Sequence, residues 1–269
     1  MIYKLSKKEF DKALPLFEGL RYNLVIKSVI TGNTPGEIYV DNKDKPKTAL
    51  LWNKMGTIML EGEVSAGLAE EIHQVIEVEW IPTAKRKGVP EMNLYYHPAS
   101  LKNTVKNKVL ASKEVEKAER YFFILNKLNS HRRDFASKYS LRKIDEKLME
   151  KNYTNSESVL GWISSFWHTY KDFYEKGIGF CVLDEDIIAS WCLSVYVSGK
   201  EYEFGIATAP EYRNKGLGKL TASACIEKCL NNNWIPYWHC NASNKPSVAV
   251  AKGVGFEIEK DYQVFSFKV

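Results

Sequence analysis

The stretch from Tyr202 to Asn233 constrains the fold most narrowly, because it predicts a strand, a glycine-containing turn and an amphipathic helix in that order. Its sequence is YEFGIATAPEYRNKGLGKLTASACIEKCLNNN. The first turn of a helix carries unpaired backbone N–H groups and a partial positive charge, which together attract phosphate oxygens. Gly216 and Gly218 remove side chains from that approach, and Arg213 and Lys215 add positive charge. We therefore predict a diphosphate-binding loop at the start of this helix.

The spacing of this loop excludes two common phosphate-binding motifs. A P-loop requires Gly-x-x-x-x-Gly-Lys followed by Ser or Thr, and the dinucleotide fingerprint requires a third glycine. Instead, x-P-x-x-R-x-x-G-x-G between a strand and a helix resembles the central motif of the GNAT superfamily of N-acetyltransferases, with Thr208 where that family often has Val. The resemblance implies acetyl-CoA as the cosubstrate. Its predicted contacts in the loop and first helical turn are Arg213, Asn214, Lys215, Gly216, Leu217, Gly218 and Lys219.

A second motif follows the predicted strand from Ile235 to Cys240. The run NASNKPSVAVAKGVGF resembles the next motif of the same family, in which an asparagine and a helix lead to a terminal Gly-Phe. The resemblance implies that Asn241, Asn244 and Ser247 contact the pantetheine arm or the thioester. Alternatively, Asn244 and Ser247 merely start the helix, since Asn and Ser are good caps. The longer run PYWHCNASNKPSVAVAKGVGF is similar to the branch that includes zwittermicin A resistance acetyltransferases.

In this family a substrate amine attacks the thioester directly, within a ternary complex. This reaction needs a base for the amine and hydrogen-bond donors for the developing oxyanion. The resemblance makes Glu203 the candidate base. Alternatively, Glu203 is only an exposed carboxylate at the end of a strand. Glu201 is two residues earlier and shares its face. The resemblance also points to the backbone N–H groups of Ile206, Ala207 and Thr208, where the fourth strand of the family separates from the fifth.

The donor of the proton to the leaving thiolate is less closely defined. Ala251 stands at the position five before Phe256 that is often Tyr in the family. Ser247, Tyr262 or an ordered water is therefore the candidate acid. His239 and Tyr237, on the fifth strand, either shape the amine pocket or pack in the core.

Periodicity predicts a mixed α/β (α+β) chain in two domains, 1–135 and 136–269. In the first half we expect a helix from Ser6 to Gly19 and an antiparallel meander. The predicted meander strands are Glu37 to Val40, Ala49 to Leu51 and Thr57 to Leu60. We also expect a strand from Gln74 to Pro82 and helices between Ser100 and Asn129. The polar segment from Ser130 to Ser140 carries the predicted domain boundary.

The resemblance implies a GNAT fold for the second half of the chain. Its helices are expected at Ile144 to Lys151 and Ser156 to Lys176, and its strands at Ile178 to Leu183, Ile187 to Tyr196 and Tyr202 to Thr208. GEIYVDNKDKPKTALLW in the first half echoes GFCVLDEDIIASWC in the second. A tandem duplication with a degenerate GNAT-like first half explains this echo, and two unrelated hairpins are the alternative. AKRKGVP in the first half lacks the phosphate loop.

Composition limits the partners. The net charge of +5 is mild and the lysines are interspersed with acids, which predicts no nucleic-acid interface. Cys225 and Cys229 are four apart on a predicted helix, but no second ligand pair follows, so we predict buried cysteines and no metal. No apolar run reaches the ~18–20 residues of a membrane span, and the start resembles no signal peptide, which predicts a cytoplasmic protein without a membrane partner.

The function expected from the resemblance is transfer of an acetyl group from acetyl-CoA to a primary amine of a small molecule. A non-catalytic acyl-CoA-binding sensor or scaffold and a protein N-acetyltransferase are the alternatives. A tandem aminoacyl or long-chain acyl transferase is disfavoured, because the intact phosphate loop favours CoA. The pattern selects neither the acceptor amine nor an oligomeric state.

Overall fold

The computed structural model describes residues 1–129 and 138–269. The elements of the first half are, in chain order, β1 (Tyr3–Lys4), a 3-10 helix (Lys7–Leu16), α1 (Leu24–Ile30), β2 (Glu37–Val40), β3 (Thr48–Trp52), β4 (Thr57–Gly62), α2 (Ala66–Gln74), a π-helical segment (Val75–Trp80), α3 (Ile81–Arg86), β5 (Glu91–His97), a 3-10 turn (Ala99–Leu101), α4 (Lys102–Thr104), a second π-helical segment (Val105–Val109) and β6 (Glu116–Leu125).

The second half repeats this order of strands and helices. Its elements are β7 (Tyr139–Lys143), α5 (Glu146–Met149), α6 (Ser156–Phe166), α7 (Tyr170–Lys176), β8 (Gly179–Asp184), β9 (Ile187–Ser198), β10 (Glu201–Thr208), a 3-10 turn (Pro210–Tyr212), α8 (Leu217–Asn231), β11 (Ile235–Asn241), α9 (Lys245–Val254) and β12 (Phe256–Lys268).

The chain divides into two compact units. One contains Met1–Glu119 and Tyr262–Val269, and the other contains Arg120–Asp261. In the first unit, β1 to β4 pair antiparallel in sequence order and β4 pairs parallel with β5. In the second unit, β7 to β10 repeat that antiparallel order and β10 pairs parallel with β11. The predicted boundary between residues 135 and 136 lies outside the described residues.

Each unit receives its last strand from the other half of the sequence. In the first unit, β5 pairs antiparallel with the end of β12, where Leu94 lies opposite Phe265. In the second unit, β11 pairs antiparallel with β6, where His239 lies opposite Phe122. The repeated topology confirms the predicted mixed α/β class and extends the repeat through the first half.

Each unit has its own core of buried apolar residues. The core of the first unit surrounds Trp52 and Trp80, whose rings stack at 5.2 Å. In the second unit, Leu217 and Leu220 of α8 pack against Val182 and Ala189 of the sheet. Burial of this apolar surface anchors α8, whose first turn carries the predicted loop.

Most predicted elements are confirmed, including both three-stranded meanders and the hairpin turn at Glu185, whose φ is +52°. The strand predicted from Gln74 to Pro82 is wrong, because this segment is helical from α2 through α3. Strand alternation would place Val78 beside Ile76 and Trp80, yet Val78 is 66% exposed and the other two are buried. The burial therefore follows a helical period.

The helices predicted between Ser100 and Asn129 are wrong for the second part of that segment. Helical turns end at Val109, and Glu116–Leu125 forms strand β6. The lysines and glutamates of this segment favour a helix, but Phe122 and Phe123 are buried in a strand paired with β11. Pairing with a distant strand outweighs the local propensity.

Neither a membrane-spanning helix nor a metal-binding cluster is found in residues 1–129 and 138–269. No helix there is long and apolar enough to cross a membrane. No group of three or more His, Cys, Asp or Glu side chains is arranged there to hold a metal ion.

Candidate functional site

The strands β10 and β11 separate midway along their length. Their parallel pairing runs from Glu201 opposite Ile235 to Phe204 opposite Trp238, and β10 then continues to Thr208 without pairing to β11. Over the same residues β10 remains paired with β9. One edge of β10 is therefore open from Gly205 to Thr208.

The register shows which backbone groups occupy that open edge. The N–H of Ala209 donates to the carbonyl of Ala189 at 3.0 Å, in register with Ala207 opposite Trp191. Backbone groups alternate direction along an antiparallel strand, so Ala207 also faces β9. The N–H groups of Ile206 and Thr208 then face the open side, as an oxyanion site requires.

The loop that follows β10 brings backbone N–H groups to the start of α8. Asn214 and Gly216 have φ values of +60° and +79°, and no side chain caps the helix at Gly216. A Cβ at Gly218 would lie 3.2 Å from Ile206 Cδ1 and 3.4 Å from Thr208 Oγ1. Glycine therefore permits the left-handed turn and the close approach of the helix to β10.

Cationic side chains surround the same turn. Arg213 Nε donates to the carbonyl of Thr208 at 3.4 Å, and Lys215 Nζ lies 5.0 Å from the centre of the Tyr212 ring. The Lys219 side chain lies against Gly253, where a Cβ would be 2.6 Å from Lys219 Cε. In residues 1–129 and 138–269 no acceptor is found for the backbone N–H groups of Asn214 to Lys219. This end of α8 is suited to an anion.

At the end of β11, the side chain of Asn241 accepts a hydrogen bond from Arg120 on β6. Arg120 thus holds the amide that the sequence predicts to contact the cofactor. This contact was missed from the sequence, because Arg120 lies 121 positions earlier and the segment containing it was assigned to helices.

The next two predicted residues lie at the start of α9. Asn244 Oδ1 accepts from the backbone N–H of Ser247 at 3.2 Å, which makes Asn244 the N-cap. Ser247 Oγ accepts from the indole N–H of Trp238 at 3.0 Å. Burial raises the pKa of the Cys240 thiol, and its hydrogen bond with Ser247 acts in the opposite direction. Ser247 therefore caps no helix end but joins a hydrogen-bonded group beside β11.

Glu203 lies on the opposite face of β10 from Phe204 and close to His239. Its Oε2 is 3.1 Å from His239 Nδ1, and the two side chains are 10% and 4% exposed. Phe122 stacks on the imidazole with ring centres 4.7 Å apart. The pair is thus a buried carboxylate beside a histidine whose ring is held by the strand from the first half.

Glu201, on the same face of β10, has a different partner. Its Oε1 accepts from the Tyr237 hydroxyl at 3.2 Å. Burial, followed by the neighbouring Glu201 charge, raises the pKa of Tyr237 to about 12. Glu201 is therefore held by a phenol, whereas Glu203 is held by an imidazole.

Tyr262 is not part of the second unit. It belongs to the first unit, where its ring lies 5.2 Å from that of Tyr22 and 5.9 Å from that of Tyr95. The other predicted site residues, from Glu203 to Ser247, all belong to the second unit.

A sheet of this topology, with a separated parallel strand pair and an uncapped helix start beside it, defines the acyltransferase class suggested by the sequence motifs. The family model described as "GNAT acetyltransferase" matches residues 14–265. The chain therefore belongs to the GNAT acetyltransferase family, whose members transfer an acetyl group from acetyl-CoA.

A curated relative and several solved structures are similar to the chain over nearly its whole length. An uncharacterized N-acetyltransferase, YdfB of Bacillus subtilis (strain 168), is 22% identical over 98% of each chain. A GCN5-related N-acetyltransferase-like protein from Streptococcus suis 89/1591 has a TM-score of 0.73 at 20% identity, covering 97% of this chain and 98% of its own. A tandem GNAT protein from the clavulanic acid biosynthesis pathway has a TM-score of 0.57 at 10% identity, covering 100% and 98%.

The residues present fit the cosubstrate of the family. The uncapped start of α8, with Arg213 and Lys215 beside it, suits a pyrophosphate. The gap between β10 and β11 leaves backbone edges that a pantetheine amide can pair with, and Asn241 and Ser247 lie where β11 ends and α9 begins. These groups are of the kinds that a bound acetyl-CoA would contact.

Proposed function

We propose that this protein transfers the acetyl group of acetyl-CoA to a primary amine of a small molecule within a ternary complex. The separation of β10 from β11 beyond Phe204 and Trp238 carries this proposal, because it exposes backbone donors next to the uncapped start of α8. Bound acetyl-CoA would supply an activated acyl carbon. The residues of the second unit supply binding, charge stabilisation and proton transfer.

The proposed cofactor contacts follow the geometry of the loop. The start of α8 binds the pyrophosphate through backbone N–H groups from Asn214 to Lys219, with Arg213 and Lys215 providing charge. Asn241, held by Arg120, and Asn244 border the pantetheine arm. The backbone N–H groups of Ile206 and Thr208 stabilise the negative charge that develops on the acyl oxygen.

Glu203 is the proposed base. An alkyl amine has a reference pKa of about 10.4, so its ammonium must lose a proton before it can attack at neutral pH. Glu203 Oε2 accepts that proton, and His239, 3.1 Å away, stabilises the carboxylate or passes the proton onward. Phe122 fixes the orientation of the imidazole by stacking.

Ser247 is the proposed donor of a proton to the leaving thiolate. Its Oγ accepts a hydrogen bond from Trp238, and its hydroxyl hydrogen, which is shared with the Cys240 thiol, would turn to the leaving thiolate. Tyr262 is the alternative acid, although its ring packs against Tyr22 and Tyr95 in the first unit. Loss of activity in Ser247→Ala but not in Tyr262→Phe would distinguish the two.

The narrower resemblance to zwittermicin A resistance acetyltransferases supports an amine-bearing antibiotic or metabolite as the acceptor. The proposed location of the protein is the cytoplasm. A non-catalytic acyl-CoA-binding role is the competing function, and it predicts binding without turnover of acetyl-CoA on any amine.

The proposal is tested by calorimetric titration with acetyl-CoA and CoA. Arg213→Glu with Lys215→Glu places two carboxylates beside the start of α8 without disturbing the glycines. The matched control is Lys228→Glu with Lys252→Glu, which makes the same charge change at exposed positions in the last turns of α8 and α9. Loss of binding in the first variant alone is expected.

Two outcomes would contradict the proposal. Folded wild-type protein that binds neither acetyl-CoA nor CoA would exclude acetyl transfer from this cofactor. Equal binding by both charge-reversed variants would exclude the start of α8 as the phosphate site.

A further inference from the structure

A row of aromatic rings lies along α6 and β9. Trp191 and Trp162 have ring centres 6.1 Å apart, and Trp162 and Phe166 are 6.4 Å apart. Phe166 in turn lies 5.5 Å from Tyr196. Each contact is edge-to-face. Trp162 and Phe166 are only partly buried, so the row is accessible from one side.

The row reaches the proposed base. Tyr196 lies opposite Glu203 in the pairing of β9 with β10. Trp162 lies over Gly205, where a Cβ would be 2.8 Å from Trp162 Cζ3. Residues two apart on a strand share a face, so the Trp162 ring and the Glu203 carboxylate lie on the same side of β10. Glycine at position 205 is what admits the indole there.

The Glu203 carboxylate is nine-tenths buried with few partners. Within the described ranges, the His239 imidazole is the one basic side chain found at salt-bridge distance from Glu203. Removing a carboxylate from water is costly unless it is paired. A ligand ammonium would supply a second partner beside His239, and aromatic faces also attract such cations.

Trp191 gives a second, independent observation. Its Nε1 is buried and has no hydrogen-bond partner in the described part of the chain. The indole N–H groups of four other tryptophans are hydrogen-bonded, to Met55, Glu37, Ser194 and Ser247. Buried polar groups in a filled core are normally satisfied, so the unmet indole N–H indicates that packing around Trp191 is incomplete beside the row.

We propose that the acceptor of the acetyl group is a primary amine on a flat, aromatic-sized apolar body, which lies against Trp162 and Phe166 with its amine at Glu203. This inference rests on the proposed acetyl transfer and adds the class of acceptor. A polyhydroxylated amine fits less well, because the row offers few partners for its hydroxyl groups, which would lose hydrogen bonds to water on binding.

The first test compares acceptors on the full-length protein with saturating acetyl-CoA. We measure kcat/KM for 2-phenylethylamine, 3-phenylpropylamine, spermidine and glucosamine. Contact of one ring with this row predicts a preference of roughly 10- to 100-fold for the aryl amines over the other two. A preference for glucosamine or spermidine would overturn the proposed acceptor class.

The second test removes part of the row. Trp162→Ala is expected to raise KM for the aryl amines at least ~10-fold and to leave acetyl-CoA affinity unchanged. Trp234→Ala is the matched control, because Trp234 is also partly buried but stacks on Tyr202 at 4.6 Å. Equal effects of the two substitutions on aryl-amine KM would overturn the assignment of the row.

Acetyl transfer and the acceptor class can be excluded separately. If the folded protein does not bind acetyl-CoA, acetyl transfer itself is excluded. If it binds acetyl-CoA and acetylates no aryl amine, only the proposed acceptor class is excluded. Thermal unfolding of each variant checks that a change in KM does not arise from loss of folding.

Discussion

The two units place a glutamate and a histidine on corresponding parallel strands, but they surround the pair differently. In the first unit Glu61 on β4 lies 2.8 Å from His97 on β5, and it also accepts from the backbone N–H groups of Gly19 and Leu20. In the second unit Glu203 lies 3.1 Å from His239. The first carboxylate therefore has three partners in its own chain, whereas the second has the imidazole alone among the described contacts.

The strand pairs differ in the same sense. Pairing of β4 with β5 continues to Glu61 opposite His97 near the end of β4. Pairing of β10 with β11 stops at Phe204, and Thr208 is four residues further along the strand. The parallel strand pair is therefore continuous in the first unit and separates in the second.

The helix that follows each of these strands shows the third difference. Ser65 Oγ caps α2 by accepting from the N–H of Leu68 at 3.2 Å. A cleft of about 640 Å³ at this end is lined by Asp41, Glu63 and Glu71 among other residues. No side chain caps α8, and Arg213 and Lys215 precede it. The same topology thus presents a capped helix start beside acidic side chains in one repeat and an uncapped start beside cationic side chains in the other.

Exchanging the two glutamates for glutamine should separate their roles most sharply. Glu203→Gln is expected to lower kcat by roughly 10²- to 10⁴-fold, because glutamine accepts no proton, with acetyl-CoA affinity retained. Glu61→Gln is expected to lower the unfolding free energy by about 1–3 kcal/mol and leave kcat unchanged. Steady-state kinetics and denaturant titration of both variants measure this. Equal losses of kcat would remove the functional distinction between the pairs.

Arg120→Ala tests whether the first half of the sequence contributes to the site of the second unit. Loss of a charged hydrogen bond to Asn241 is expected to weaken acetyl-CoA binding by roughly 10-fold. Lys117→Ala, at an exposed position on the same strand, is the control. Calorimetry distinguishes them, and unchanged affinity in Arg120→Ala would show that Asn241 needs no such support.

Ser65→Ala tests the contribution of the N-cap of α2. Loss of the cap on α2 is expected to lower the unfolding free energy by about 1 kcal/mol, with acetyl-CoA affinity and kcat unchanged. Thermal unfolding measures the stability change. Reduced acetyl-CoA binding in this variant would mean that the first unit also participates in the cofactor site.

The smallest expected effect concerns Tyr237 at alkaline pH. Its pKa is raised to about 12 by burial and by Glu201, above the usual value near 10, so the folded state favours the protonated phenol. Its contribution to stability is therefore complete below about pH 10 and is lost as pH rises toward 12. Tyr237→Phe should flatten that decline in denaturant titrations. An unchanged slope would place the raised pKa elsewhere.

The glycine-containing turn at the start of α8 was predictable because its sequence signals are local. Gly216 and Gly218 lie between a strand and a helix in one contiguous segment, and Pro246 with Asn244 likewise marked the start of α9. The opening between β10 and β11 followed only from family resemblance, since no local pattern specifies where two strands part.

Arg120 and Phe122 were missed because their partners lie far away in the sequence. Arg120 and Phe122 lie in a segment whose lysines and glutamates predicted helices, and its pairing with β11 depends on contacts far apart in sequence. Strand propensity depends mainly on such neighbours, which a single sequence does not display. The aromatic row was also missed, because Trp162 lies on a helix and Trp191 on a strand.

The exchange of last strands has a consequence for synthesis on the ribosome. The first unit contains Tyr262–Val269, so β5 keeps an unpaired edge until the final residues of the described chain emerge. An open strand edge is a template for association with other chains. Nascent chains stalled after β11 would therefore expose that edge, and pairing of β12 with β5 closes the sheet of the first unit.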